Sequence, residues 1–117
     1  MSAKTEKVWG TTEALIVTPM FEMHRLIIKP WHRCSMHTHR FKHNAFYGLE
    51  GHVFIDTEIN SPTSGQRYEL SKGNVFTIAP GVAHQFQTAS AWCVMLEMYF
   101  TEPLSEDIIR RNVGGPV

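Results

Sequence analysis

His37 and His39 are separated by one residue, and on an extended chain that spacing sends both imidazoles to the same face. On a helix the useful separation is three or four. Neutral imidazole ligates Zn, Fe, Ni, Co or Mn, and a pair from one strand leaves room for donors from neighbouring strands. His84 follows Pro80-Gly81-Val82-Ala83, a turn that starts a new strand, so it can reach the same point from another direction. The chemistry expected is that of one divalent transition metal (Fe, Zn, Ni or Mn), polarising a carbonyl or enediolate oxygen or, with iron, activating dioxygen. An HxH pair is weak evidence alone in a chain with seven histidines. His24, His32 and His52 have no partner at a diagnostic spacing and read as surface or hydrogen-bonding residues. Cys34 and Cys93 read as separate core thiols in a reducing compartment, not as ligands or a disulfide.

The elements that must position these residues are short strands. Phe21 to Lys29 alternates, with Met23, Arg25 and Ile27 on one face and His24, Leu26 and Ile28 on the other. Cys34-Ser-Met-His-Thr-His39 has period-2 character, and the chain resumes as Asn44-Ala-Phe-Tyr-Gly-Leu-Glu-Gly51. On that strand Asn44, Phe46, Gly48 and Glu50 form the inward set, with Gly48 enlarging the cavity. Asn60 to Gly65 reads as a loop, and Ala91 to Phe100 is the most hydrophobic strand. Ser105-Glu-Asp-Ile-Ile-Arg-Arg reads as a helix, with Ser105 as cap, acidic residues in its first turn and Arg110 and Arg111 at its end. About nine strands with Gly/Pro turns and one helix indicate an all-β barrel or sandwich. The expected layout is a single domain over residues 1–117: an arm over 1–12, a β-barrel over 13–103 and a helix over 105–112.

Two segments together are more specific than the HxH pair. His37-Thr-His39-Arg-Phe-Lys-His43-Asn44, followed by Gly51, resembles the first cupin motif. Gly73-Asn-Val-Phe-Thr-Ile-Ala-Pro-Gly81-Val-Ala-His84 resembles the second. Among cupins the chain is similar to the type II mannose-6-phosphate isomerase kind, also through Val8-Trp-Gly, Arg25-Leu-Ile-Ile-Lys-Pro30 and Ser105-Glu-Asp-Ile-Ile-Arg110. The resemblance implies a cupin jelly-roll barrel with His37, His39 and His84 on metal-ligand positions. Asn44 falls where the motif has Glu, and Ala79 where it has Pro.

The fourth ligand stays open between two neighbours. Strict register turns Asn44 inward, while His43 is the better donor and follows a loop able to absorb a shift of one residue. The leading expectation is a metal-dependent enzyme acting on a small polar or anionic molecule such as a sugar phosphate, in the manner of an isomerase. His43 or Glu50 would be its base, and Arg25, Phe46, Tyr47 and Arg110 its substrate contacts. A three-His iron dioxygenase is the alternative, because losing the Glu position moves the site towards that class. A non-catalytic ligand-binding cupin is the other.

Eleven Lys plus Arg balance eleven Asp plus Glu, which removes the general electrostatic case for nucleic acid or an anionic membrane surface. The first residues lack the apolar core of a signal peptide, and no apolar run is long enough to span a membrane, so the expected location is cytoplasmic. A homodimer is expected, with Val8 and Trp9 of the arm pairing with a second subunit.

Overall fold

The computed structural model describes residues 3–58, 65–101 and 107–117. Nine strands occur among them: β1 Ala3–Lys7, β2 Gly10–Val17, β3 Phe21–Ile28, β4 His43–Glu50, β5 His52–Glu58, β6 Gly65–Ser71, β7 Val75–Ile78, β8 Ala83–Gln87 and β9 Cys93–Phe100. They form a six-stranded sheet in the order β1-β2-β3-β9-β4-β7 and a three-stranded sheet in the order β6-β5-β8. The paired strands all run antiparallel.

Alternation decides what lies between the sheets. On β3, Leu26 and Ile28 are buried while Arg25 and Ile27 are exposed; on β5, Val53, Ile55 and Thr57 are buried. With Phe46, Leu70, Phe86 and Met95, the side chains of Leu26, Ile28, Val53 and Ile55 form the core. The same period places two polar residues on the inner face, Asn44 at the start of β4 and Glu97 in the middle of β9, 1% and 8% exposed. The expected loop over Asn60 to Gly65 lies outside the described residues, apart from Gly65.

Three expectations are corrected. First, the all-β fold is two sheets and not a closed barrel. The segment beside β8 forms no strand with it and pairs through isolated bridges, Arg33 to Gln87 and His37 to His84, and a parallel bridge, Gly48 to Lys72, links the two sheets. The stretch from Cys34 to His39 is accordingly not a strand.

Second, the helix expected over 105–112 is absent: Asp107 to Val117 has no helical residue, and Ser105 and Glu106 lie outside the described residues. So short a helix needs an apolar face to bury, since isolated helices of this length are unstable in water. Ile108 and Ile109 are exposed here and find none. No helix among the described residues is long and apolar enough to cross a membrane.

Third, Gly48 opens no cavity. A Cβ there would collide with the Ser71 carbonyl oxygen, and the residue exchanges hydrogen bonds with Asn74 and Gly73 at 3.0 and 2.9 Å. It is needed where two backbones approach.

Candidate metal centre

The approach of His37 to β8 assembles the site. The His37 N–H donates to the His84 carbonyl at 3.0 Å, and the His84 N–H returns a bond to the His37 carbonyl at 2.9 Å. The Gly81 N–H donates to the His39 carbonyl at 2.8 Å, so the turn before β8 fixes the second histidine as well. One donor atom each from His37, His39 and His84 then lies within 4.8 Å of the others.

The other ring nitrogens set the tautomers. His37 Nδ1 lies 2.8 Å from the Ser35 carbonyl and His84 Nδ1 lies 2.9 Å from the Val82 carbonyl. A carbonyl only accepts, so each Nδ1 carries the proton and each Nε2 its lone pair. Nε2 of His39 and Nε2 of His84 are buried with no hydrogen-bond partner. Two orphaned imidazole nitrogens in one cluster are costly unless something accepts their electron pairs, and a divalent cation does. Burial, opposed by the Val82 carbonyl and reinforced by His37 and His39, lowers the pKa of His84 to about 4. Burial, with His37 and Lys42, lowers that of His39 as well. Both are therefore held in the neutral form that ligates. The donor set fits one divalent metal.

No model of a known protein family matches the chain, and no curated protein sequence matches it. Solved structures do. The cupin domain of Cnp3 from Schizosaccharomyces pombe superposes with a TM-score of 0.72 at 11% identity, covering 86% of this chain and 69% of that one. KdgF from a Halomonas species gives 0.73 at 13% identity, covering 86% and 89%. The capsular polysaccharide assembling protein CapF of Staphylococcus aureus gives 0.76 at 20% identity, covering 90% of this chain but only 29% of its own length. The fold is that of a cupin. None of these similarities reaches the narrower likeness to type II mannose-6-phosphate isomerases.

In this cupin His37 and His39 face a cleft of about 440 Å³, whose walls include Glu97, Tyr99, His24, Lys42, Glu22 and Lys7. Glu97 accepts a hydrogen bond from Asn44 Nδ2 at 3.2 Å and another from Tyr99. Burial outweighs both bonds and pushes the Glu97 carboxyl up to about 7. Burial and the neighbouring Glu97 raise the Tyr99 phenol, which stays a donor at neutral pH. Asn44 Oδ1 is a third buried polar atom without a partner. At the cleft mouth Glu22 bonds Lys42 at 2.9 Å and His24 at 3.2 Å, and these two partners hold its carboxyl below the usual range.

The other residues singled out in the sequence are placed as follows. His43 is not a member of the histidine cluster; its ring stacks on Phe100 at 5.3 Å. Phe46 is a core residue with its ring 6.4 Å from that of His84. Glu50 is exposed, because the β4–β9 register shifts between Gly48 and Glu50 and breaks the alternation. Tyr47 is half-buried, Arg110 is exposed, and Arg25 is exposed and paired with Glu13 at 3.0 Å. Cys34 and Cys93 are buried free thiols, raised by burial to about 11 and about 12. Trp9 turns inward, its indole edge-on to Phe86 at 5.0 Å, and so is committed within its own chain.

Glu97, Tyr99, Lys7 and Lys42 line the cleft although the sequence alone assigned them no role. One signal was available for Glu97: it continues the alternation of Cys93 and Met95, which puts a carboxylate on a core face.

Proposed function

We propose that this cupin is a metal-dependent enzyme with a three-histidine centre of the dioxygenase type, acting on a small oxygen-rich molecule. The observation that carries this reading is the donor set: three imidazoles with no carboxylate among them, and Asn44 in place of the motif's Glu, turned to hydrogen-bond Glu97. Iron bound there would supply dioxygen activation, and imidazole ligands would leave its charge to polarise a substrate oxygen. The chain's own residues bind and orient. His37 and His84 are fixed by their carbonyl bonds, Tyr99 remains a hydrogen-bond donor, and Phe86 adds an apolar patch to the wall.

A second reading is isomerase-like proton transfer, favoured by Glu97. A carboxyl near 7 exchanges a proton readily at neutral pH, as a general base or acid requires. Anaerobic purification with elemental analysis, followed by oxygen-uptake measurements on the iron-loaded protein, separates the two. Redox-active iron with substrate-dependent oxygen consumption supports the first; Zn, Ni or Mn with none supports the second. A metal-free protein as purified that takes up no divalent ion would overturn both and favour a non-catalytic cupin.

A homodimer belongs to the same proposal. β1 is an open sheet edge, and Leu15, Ile16 and Val17 beside it are exposed. Sedimentation at tens of micromolar protein (~10–50 µM, a range at which standard-size interfaces assemble) should give twice the chain mass, and a monomer would count against it.

A further inference from the structure

Lys7 ends β1, two residues before Trp9, where the register pairs it with Gly10 across a two-residue turn. That turn is pinned to the body of the fold. The Trp9 ring packs on Phe86, the Trp9 carbonyl accepts from the Lys29 N–H at 2.9 Å, and a side chain at Gly10 would collide with the Ile27 carbonyl. A residue on an otherwise exposed arm is thereby held at the rim of the cleft that contains His37 and His39.

Two lysines and two carboxyl groups face that cleft, and they are not equally engaged. Lys42 is paired with Glu22. Glu97 is tied to Asn44 and Tyr99 on the inner wall. Lys7, among the described residues, has no ion pair, and its charge reaches the cleft interior, where it favours the ionised form of Glu97. A negative group entering the cleft is drawn to the rim by Lys7, and the ionised form of Glu97 repels it from the inner wall.

We infer that Lys7 is a specificity-determining residue that receives the carboxylate of the substrate at the rim, and that the substrate is a small hydroxy- or oxo-carboxylic acid whose neutral oxygen end points towards the three histidines. This rests on the metal-site reading above and names the substrate class for that site. Cobalt-loaded protein titrated with lactate and with its neutral counterpart lactamide, followed by the visible cobalt bands, tests it without any turnover. Wild type should bind lactate more tightly than lactamide. Lys7→Gln should weaken lactate about fivefold, as expected for a largely exposed ion pair, leaving lactamide and cobalt stoichiometry unchanged, and Lys7→Arg should restore the preference. Equal lactate affinity in wild type and Lys7→Gln, or no preference for lactate in wild type, overturns the role of Lys7 while the metal site stands. Failure of wild type to bind cobalt overturns both.

Discussion

The Asn44 carboxamide donates to the Glu97 carboxylate at 3.2 Å, diagonally across β4 and β9, with both side chains buried. The two identities depend on one another. An acid at position 44 would face Glu97 in a medium of low dielectric, where two ionised carboxylates cannot coexist cheaply. The chain thus keeps one carboxylate on this wall, on β9 instead of β4, and meets it with an amide.

Replacing Asn44→Glu should therefore destabilise the protein in a pH-dependent way. The loss is expected to be small near pH 5, where at least one of the two acids is protonated, and to grow by about 2–3 kcal/mol at pH 8. Urea denaturation of the metal-free protein at both pH values measures it, and a pH-independent loss would refute the like-charge account.

Glu97→Gln has the opposite sign. The folded pKa of Glu97 is raised from 4.5 to about 7, so the folded state holds its proton more tightly than the unfolded chain. That contribution is complete below about pH 4.5 and is lost as pH rises through about 7. A neutral amide cannot lose it. The metal-free variant should match wild type near pH 4.5 and exceed it above pH 7.5, by roughly 3 kcal/mol at most. Parallel stability curves for the two proteins would show that burial does not perturb Glu97.

Replacing both His37 and His39 by Ala should abolish stoichiometric metal while leaving a folded β protein, because neither side chain belongs to the hydrophobic core. Elemental analysis with circular dichroism checks both halves. Full metal retention would place the ligands elsewhere.

Much of this arrangement was legible in the chain. Period 2 separated the two faces of β3 and put Asn44 and Phe46 on the inner face of β4, and the HxH spacing with the turn before His84 located the cluster. Three features escaped for separate reasons. The helix over 105–112 had favourable ends, yet local capping does not supply a surface to bury Ile108 and Ile109. Glu50 left the inward set because a register shift, which has no composition signal, falls after Gly48. Lys7 was hidden because its place depends on Trp9 folding inward against Phe86, a contact between residues far apart in the chain.

Gly48 and Gly73 offer a test of why glycine stands at each point. Gly73 adopts φ +84 with nothing within 4 Å of a Cβ, so its requirement is backbone conformation alone. Gly48 lies under the Ser71 carbonyl, where the two sheets meet, and a methyl group there must move backbone. Gly73→Ala should cost about 1 kcal/mol, the usual penalty for a non-glycine residue in the left-handed region. Gly48→Ala should cost about 2–3 kcal/mol, as overpacking against an unyielding neighbour does. Urea midpoints give both values. The metal affinity of each folded variant should match wild type, because His37, His39 and His84 take their main-chain bonds from one another and from Gly81, well along the chain from either glycine. Equal losses at the two positions would mean that the Gly48 backbone yields, and that the contact between β4 and the residues after β6 is not a fixed joint of the fold.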